Sequence, residues 1–196
     1  MLVSGGHSQI IYVKDYDKQE ILASTIDDAV GEVYDKVARL IGLPYPGGVT
    51  LDKLAQNGNP NAFKLPEARV QNTEFSFSGL KTAMLRLIQG FNGEIPVNDV
   101  CASFQECVSN TLVKKTKFWM DEFGYKTVVL AGGVAANSEL RKKIFALENA
   151  GYKAYAPAMK YCTDNATMIA AAGYYAYLDG RRADLTLNSK SQDTLC

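Results

Sequence analysis

The chain has 196 residues, and its 21 Lys and Arg balance 21 Asp and Glu, so the formal net charge is zero. With 47% hydrophobic and 21% charged residues, it has the composition of a folded globular protein, which excludes wholesale disorder. The neutral charge argues against a free-standing nucleic-acid-binding domain, whose surface would be basic. The sequence has no run of about 18 apolar residues, from which we expect no membrane partner and a cytoplasmic location.

The single histidine, His7, limits the metal chemistry that this sequence can support. Two histidines one helical turn apart, a common pair of zinc ligands, cannot be supplied by one imidazole. The four cysteines contain no C-x-x-C pair and are Cys101, Cys107, Cys162 and Cys196. We therefore predict reduced, mostly buried thiols and neither a zinc ribbon nor a disulfide framework.

The N-terminal part of the sequence predicts a hairpin followed by a helix. Residues 1–4 and 9–13 read as two strands joined by a tight glycine turn. Because a domain rarely opens inside a hairpin, we expect the chain to be the later part of a longer fold. An apolar stripe at helical spacing predicts a helix over residues 25–42, with Thr25 or Asp27 as its N-cap.

Helices and strands then alternate along the rest of the sequence. One helix is predicted from Thr50, as its N-cap, to Gly58, and a longer one from Pro96 to Gly124. Three more are predicted over residues 80–89, 138–147 and 163–178. Strands are predicted over residues 127–131 and 153–156. The order of elements favours an α/β fold, with residues 1–180 forming one lobe and residues 181–196 a polar tail.

Three glycine-centred turns are candidate ligand sites. The turn at Ser4-Gly-Gly presents backbone N–H groups that could cradle an anion, although a plain hairpin turn explains it equally simply. Gly132-Gly133 follows a buried strand and precedes a helix, where α/β proteins place ligands, and Asn137 could hydrogen-bond a ribose or a base. The third turn, Tyr45-Pro-Gly-Gly48, is typical of a helix-to-helix connection.

Two aspartates accompany these turns in the sequence. Asp35 lies within the first predicted helix, where an acid is more often solvated and paired with a basic neighbour such as Lys36 or Arg39. Asp164 begins the last predicted helix, where it can interact with the helix dipole or, exposed at the tip, hold a metal ion.

The order of the motifs is more specific than any one of them. Six occur in series: Leu2-Val-Ser-Gly-Gly-His7, Asp27-Asp-Ala-Val-Gly-Glu-Val-Tyr-Asp-Lys36, Tyr45-Pro-Gly-Gly48, Phe75-Ser-Phe-Ser-Gly-Leu-Lys81, Ala131-Gly-Gly-Val-Ala-Ala-Asn137 and Cys162-Thr-Asp-Asn165. This series resembles the TsaD family, also called YgjD or Gcp and formerly O-sialoglycoprotein endopeptidase. The resemblance covers nearly the whole chain.

The resemblance implies an actin-like ATPase fold with two lobes, of the sugar-kinase and Hsp70 type. TsaD enzymes are acyltransferases that transfer a threonylcarbamoyl group from threonylcarbamoyl-AMP to N6 of adenosine 37, in tRNAs that read codons beginning with A. The implied cofactor is one divalent metal ion, Fe²⁺ or Zn²⁺. The implied partners are tRNA, threonylcarbamoyl-AMP or ATP/ADP, a TsaB-like paralogue and a TsaE-like ATPase.

The resemblance also implies a set of site residues. They are Leu2, Val3, Ser4, Gly5, Gly6, Asp35, Gly48, Asp52, Gly132, Gly133 and Asn137 for the nucleotide, and Asp164 for the metal. The first five would lie at the adenylate phosphate, the next three along the nucleotide and its ribose, and the following three around the adenosine. No catalytic residue is assigned.

The sequence departs from the family in its metal ligands. The H-x-x-x-H pair and the first phosphate loop of TsaD proteins lie upstream of the hairpin and are not in this sequence. The chain therefore resembles a C-terminal lobe with the N-terminal lobe largely missing, and the helix over residues 163–178 would return toward that lobe. We expect weak binding of the metal, the nucleotide and the TsaB-like paralogue, and no transfer activity from this chain alone.

Other function classes stay open at this point. One is a metal-dependent glycoprotein endopeptidase, as the former family name suggests, which needs a ligated metal and a general base. Others are an actin-fold sugar kinase and a nucleotide-binding or interaction module without catalysis. Three basic clusters could face tRNA, although solvated helix faces are the commoner explanation: Lys114-Lys115-Thr-Lys117, Arg141-Lys-Lys143 and Arg181-Arg182.

Overall fold

The structure, a computed structural model, describes residues 1–15, 17–68 and 70–188. The described α-helices are α1 (Val30–Leu40), α2 (Gly48–Ala55), α3 (Ser78–Gln89), α4 (Val97–Glu122), α5 (Ser138–Ala146) and α6 (Ala166–Leu178). The described strands are β1 (Leu2–Val3), β2 (Ser8–Asp15), β3 (Lys18–Thr25), β4 (Glu74–Phe75), β5 (Thr127–Val129) and β6 (Lys153–Tyr155). The predicted α/β class is confirmed.

The described strands form a four-stranded sheet in the order β1-β2-β3-β4 and a two-stranded sheet of β5 and β6, and a single bridge joins the two sheets edge to edge. β1, β2 and β3 pair antiparallel, β4 joins β3 in parallel, and β5 pairs with β6 in parallel. Leu2 forms a parallel bridge with Ala131, just after β5. There the N–H of Val3 donates to the carbonyl of Ala131, and the N–H of Ala131 donates to the carbonyl of Met1, both at 2.9 Å. This junction joins the hairpin to the C-terminal strands.

One face of the sheet lies in the core. The residues pointing into it are Val3, Ile10, Ala23, Val128, Leu130 and Ala154. They belong to the same buried cluster as α4, which supplies Phe104, Val108 and Leu112. Helix α4 also contacts α2 and α5, and so connects the elements on either side of it. The opposite face of the sheet is more exposed, as Val129 and Tyr155 are each more than half exposed.

The predicted start of the first helix is wrong. Strand β3 occupies residues that the sequence pattern left unassigned and runs to Thr25, so α1 begins at Val30 with Ala29 as its N-cap. Ala29 has no capping side chain, and the N–H of Val30 instead donates to Oγ of Ser8 at 2.8 Å. A hydroxyl from β2 therefore caps α1, and a cap distant in sequence leaves no local signal.

Asp27 has a different role from the capping one that was predicted. Its carboxylate accepts hydrogen bonds from the hydroxyl of Ser76 at 2.6 Å and from the backbone N–H groups of Phe77 and Ser78 at 2.8 and 3.3 Å. We call this arrangement the Asp27 clamp. Partial burial alone would raise the pKa of Asp27, but the Phe77, Ser76 and Ser78 donors outweigh it and hold the pKa below its ordinary value. The clamp joins two of the six motifs.

The boundaries of the later helices are close to the predicted ones. Thr50 lies inside α2, whose N-cap is Gly47, so its predicted capping role is wrong. Helix α4 begins at Val97 with Pro96 as its N-cap, one residue after the predicted start at Pro96. Helix α6 begins at Ala166, where the side chain of Asn165 accepts the N–H of Met168 at 3.1 Å. The division into a lobe and a tail stays a prediction, since residues 189–196 are outside the described residues.

The described cysteines are free thiols, as predicted. Cys101 and Cys162 are buried and Cys107 is partly buried, while Cys196 lies outside the described residues. Burial raises the pKa of Cys101 to about 12 and that of Cys107 to about 11, so both thiols stay protonated near neutral pH. Among the described helices, none is both long enough and apolar enough to cross a membrane.

Candidate functional site

A cleft of about 510 Å³ lies between the hairpin turn, α1, α2 and the start of α5. It brings together the three glycine turns of the sequence, since Gly5, Gly48 and Gly133 all line it. The predicted site residues Asp35, Asp52 and Asn137 also line the cleft, together with Gly31, Tyr34, Pro46, Val49, Lys53, Gln56, Val134, Ala136, Ser138 and Met159. Residues far apart in sequence thus meet in one concave surface, which is the usual form of a small-molecule site.

The hairpin turn reaches the cleft through Gly5. The N–H of Ser4 donates to the carbonyl of His7 at 2.8 Å, while Oγ of Ser4 accepts the N–H groups of Gly6 and His7 at 3.2 and 2.9 Å. Three of the turn's N–H groups therefore already have partners within the turn. Helix α1 packs closely here, because a Cβ on Gly31 would lie 2.7 Å from the carbonyl oxygen of Ser4.

The other predicted residues of the hairpin lie elsewhere. Leu2 lines a separate cavity of about 540 Å³ on the far side of β1, among apolar and aromatic side chains. Val3 is fully buried in the core. Their place at a phosphate stays a prediction, and in the structure both residues belong to the strand that leads to Gly5.

Asp35 holds the second glycine turn. Its Oδ1 accepts the backbone N–H of Gly47 at 2.8 Å and that of Gly48 at 3.3 Å. The neighbouring Lys36 pairs instead with Asp28 at 2.7 Å and with Glu32 at 2.8 Å. The simpler interpretation of Asp35 as a solvated acid paired with the adjacent lysine is therefore wrong, and one of its oxygens has a structural partner.

Asp52 belongs to α2, and its carboxylate lies at the N-terminus of α5. Its Oδ1 accepts the hydroxyl of Ser138 at 2.7 Å and Nε2 of Gln105 at 2.9 Å, and the N–H of Ser138 lies 3.2 Å from both carboxylate oxygens. A carboxylate at this place is favoured by the positive end of the helix dipole. Most of the bonds go to Oδ1, so Oδ2 keeps accepting capacity on this cleft-lining residue.

Asn137 is the N-cap of α5. Its Oδ1 accepts the N–H of Leu140 at 2.9 Å, and its Nδ2 donates to Oε1 of Gln105 at 2.8 Å and to the hydroxyl of Tyr34 at 3.4 Å. An amide nitrogen has two hydrogens, and both are thereby used. Asn137 thus lines the cleft as predicted, but with its amide group directed into the protein.

Tyr34 is a cleft residue that sequence reasoning missed. It is buried on α1, and its ring packs edge-on against Phe104 with the centroids 5.0 Å apart. Burial, and then the negative charges of Asp52 and Glu139, raise its pKa above the ordinary value for tyrosine, so the hydroxyl stays protonated. An aromatic residue at helical spacing reads as core, and only the fold shows that this one reaches a cleft.

Gly132 and Gly133 have different surroundings. Gly132 has a positive φ of 93°, and a Cβ on it would lie 2.3 Å from the carbonyl oxygen of Val3. Glycine is therefore required for the junction between β1 and the end of β5. Gly133 begins a short 3-10 helix, Gly133–Ala136, and lines the cleft. Of the pair, Gly132 supports the sheet and Gly133 faces the ligand space.

The described residues contain no complete metal centre. Within residues 1–15, 17–68 and 70–188, no three or more His, Cys, Asp and Glu side chains are grouped so that they could hold an ion. Asp164, the predicted metal ligand, is exposed just before α6, and His7 is exposed on the hairpin turn. No step of the proposed function is therefore assigned to a metal on these residues.

The basic clusters contain residues that already have partners. Lys114 pairs with Glu67 at 2.9 Å, and Lys143 pairs with Glu106 at 2.7 Å. The guanidinium of Arg141 donates to the carbonyl oxygens of Ala135 and Pro157. These contacts favour the simpler interpretation of the clusters as structural or solvated faces.

Sequence similarity to known proteins identifies the family. A family model described as tRNA N6-adenosine threonylcarbamoyltransferase, TsaD, matches residues 1–171. The chain belongs to the TsaD family. It is 49% identical to the tRNA N6-adenosine threonylcarbamoyltransferase of Thermosipho africanus, over 96% of this chain and 58% of that protein. The enzymes of that name from Gloeobacter violaceus and Clostridioides difficile are 49% and 46% identical over 100% and 96% of this chain. The chain spans 58% of the length of these three TsaD proteins.

Solved structures of HypF share the fold. The T. kodakarensis HypF structure superposes with a TM-score of 0.59 at 23% identity, over 80% of this TsaD chain and 21% of HypF. A second, described as full-length HypF in the phosphate- and nucleotide-bound form, gives a TM-score of 0.56 at 20% identity, over 77% and 20%. At this identity the likeness shows the fold alone. With the family match, it confirms the predicted actin-like fold class.

Proposed function

We propose that this TsaD-family chain provides the adenylate-binding part of a tRNA N6-adenosine threonylcarbamoyltransferase. The observation that carries the proposal is the convergence of Gly5, Gly48 and Gly133 on a single cleft. Glycines allow a ligand to approach the backbone closely, and three such turns around one cleft suit a flat, phosphate-bearing molecule.

The cleft offers a partner for each part of an adenylate. Gly5, beside the N-terminal turn of α1, and the ammonium of Lys53 are suited to a phosphate. Oδ2 of Asp52 can accept a hydrogen bond from a ribose hydroxyl, as acidic residues do in other nucleotide sites. The side chains of Val49 and Met159 supply apolar surface for a base.

The substrates that we propose are threonylcarbamoyl-AMP, or ATP/ADP in its place, and tRNA. The proposed partners are a TsaB-like paralogue and a TsaE-like ATPase, and the proposed location is the cytoplasm. The reaction is acyl transfer, in which N6 of the tRNA adenosine replaces the adenylate on the carbamoyl carbon. We assign no general base to it, and no metal, because the described residues contain no group of three or more His, Cys, Asp and Glu side chains that could hold one. We therefore expect this chain alone to transfer nothing.

Nucleotide binding can be tested directly on this chain. AMP is titrated into the ¹⁵N-labelled chain and followed by two-dimensional NMR. We expect a dissociation constant of about 1 mM, which corresponds to about 4 kcal/mol of binding free energy. The shifted amides should include those of Gly5, Gly48 and Gly133. Inosine monophosphate and inorganic phosphate are the controls for the base and the phosphate. The absence of saturable shifts at these three glycines would overturn the proposal.

A further inference from the structure

Gln105 lies behind the cleft and joins two of its walls. It is 3% exposed on the 26-residue helix α4, and it is not among the residues that line the cleft. Its Nε2 donates to Asp52 at 2.9 Å, and its Oε1 accepts from Asn137 at 2.8 Å. Both ends of one buried amide are therefore used, each on a residue that faces the ligand space.

The charge of Asp52 sets the direction of every bond in this network. An ionised carboxylate can only accept hydrogen bonds, so the nitrogen end of Gln105 must point toward Asp52. The oxygen end then points toward Asn137, which must present its own nitrogen. As a result Oδ1 of Asn137 is turned toward the N–H of Leu140, where it caps α5 at 2.9 Å. Reversing the amide of Gln105 would place an oxygen against the carboxylate.

We propose that Gln105 is a positioning residue, which orients Asp52 for a ligand that carries a ribose and holds Asn137 in place at the start of α5. This inference rests on the proposed function and adds a residue to its site. Gln105 and Ser138 both bind Oδ1 of Asp52, and so fix the plane of the carboxylate and leave Oδ2 for a ribose hydroxyl. The same amide holds Asn137 and the start of α5, and thereby the wall that carries Gly133.

The surroundings of Gln105 make an additional negative charge unfavourable there. Asp52, on α2, faces the amide of Gln105 directly. Tyr34, on α1, is protonated and lies beside Asn137. Glu139 on α5 and the protonated Cys107 on α4 are near the same tyrosine. A carboxylate at position 105 would meet Asp52 at hydrogen-bond distance. Two carboxylates at that distance cannot both stay ionised without a large cost.

The test uses Gln105→Glu in the full chain, with AMP as the probe. At about pH 9, where even a carboxyl buried beside Asp52 is driven to ionise, the new carboxylate repels Asp52, and we expect AMP affinity to fall by about tenfold. At about pH 5 a protonated glutamic acid can donate to Asp52 and accept from Asn137, as glutamine does, so the affinity should return toward that of the unsubstituted chain. Affinities are compared with the unsubstituted chain at the same pH.

Two further variants separate positioning from folding. Gln89→Glu makes the same chemical change at an exposed position of α3, and its affinity ratio should be close to one at both pH values. Gln105→Met has a similar length and no charge, so it avoids repulsion; we expect a loss of affinity of about tenfold that does not depend on pH. Circular dichroism at each pH checks that the variants are folded.

The outcomes distinguish this inference from the proposed function. If the unsubstituted chain does not bind AMP, the proposed function is overturned, and so is the role of Gln105 in its site. If the unsubstituted chain binds and the folded Gln105→Met variant binds equally well, only the role of Gln105 is overturned. A Gln105→Glu ratio that is the same at both pH values also overturns it. Recovery at low pH in Gln105→Glu, with a constant loss in Gln105→Met, supports it.

Discussion

Helices α4 and α6 differ in burial in a way that their compositions do not predict. Helix α4 carries Asp, Glu and Lys residues along its length, yet 11 of its 26 residues are buried, including Phe104 and Leu112. The 13 residues of α6 include no charged side chain, yet none of them is buried. Large apolar side chains such as Ile169 and Tyr177 are more than 60% exposed. What separates the two helices is the presence of neighbours to pack against.

A helix that is apolar on all sides is usually buried in a protein core or an interface. Helix α6 has this composition, but the described residues contain nothing that covers it. The packed body of the molecule is therefore α1 to α5 with the sheet, and α6 extends beyond it. Substitutions in the two regions should therefore change the free energy of unfolding by different amounts.

The largest effect is expected for Phe104→Ala in the packed body. The side chain is fully buried and contacts Tyr34, so its removal should lower the free energy of unfolding by about 3–5 kcal/mol. Phe118→Ala on the same helix is the control, because its ring is 37% exposed and should contribute about 1 kcal/mol. Urea unfolding followed by circular dichroism measures both. Equal losses would show that α4 is not buried as described.

Replacing two helical glycines by alanine should change the free energy of unfolding by smaller amounts and in opposite directions. Gly31→Ala places a Cβ 2.7 Å from the carbonyl oxygen of Ser4 and should cost about 1–3 kcal/mol. In Gly79→Ala the new Cβ meets nothing within 4 Å, and the gain in helix propensity should stabilise the protein by about 0.5–1 kcal/mol. The same urea experiment gives both signs. If Gly31→Ala is stabilising, the close packing of α1 against the hairpin turn is wrong.

The Asp27 clamp should make part of the body's stability depend on pH. Hydrogen bonds hold the pKa of Asp27 below its ordinary value, so the clamp stabilises the fold fully above about pH 4 and loses this contribution as the pH falls further. We expect Asp27→Asn to cost about 1 kcal/mol at neutral pH. The difference from the unsubstituted chain should shrink below about pH 4. A difference that stays constant down to acidic pH would contradict this role.

The smallest effect is expected on α6. Ile169→Ala removes a side chain that is 66% exposed and should change the free energy of unfolding by no more than about 0.5 kcal/mol. The partner experiment is Ile144→Ala on α5, whose side chain is fully buried and should cost about 2–5 kcal/mol. A loss from Ile169→Ala comparable to that of Ile144→Ala would show that α6 is packed in solution.

The sequence predicted features that have a clear local pattern better than features that depend on contacts between distant elements. The glycine turns and the strongly periodic α4 were placed correctly, because glycine and 3.6-residue periodicity leave clear signals. The predicted N-caps Thr25, Asp27 and Thr50 were wrong. Ser8, from β2, caps α1, and the N-cap of α2 is Gly47, which has no capping side chain. Strand β3 was missed, because its residues alternate poorly and its pairing with β2 shifts register.

The sequence alone does not show a residue's role in the site where its surroundings decide that role. Gln105 and Tyr34 read as ordinary positions in amphipathic helices, and only the packing of α1, α2, α4 and α5 brings them to the cleft. The structure places Gly132 and Val3 at the junction between β1 and the end of β5, and neither residue lines the cleft. The ligand roles of the remaining residues stay predictions until binding is measured.

The Asp27 clamp has a consequence for how the sequence between its two halves can change. Its hydrogen bonds join residues 49 to 51 positions apart and so close a loop with fixed ends. The entropy of closing a loop grows only slowly, by about 0.6 kcal/mol for each doubling of its length. Insertions and deletions in the irregular stretch between α2 and β4 should therefore cost little, and TsaD homologues should vary in length there while the anchoring aspartate and its donors stay in place.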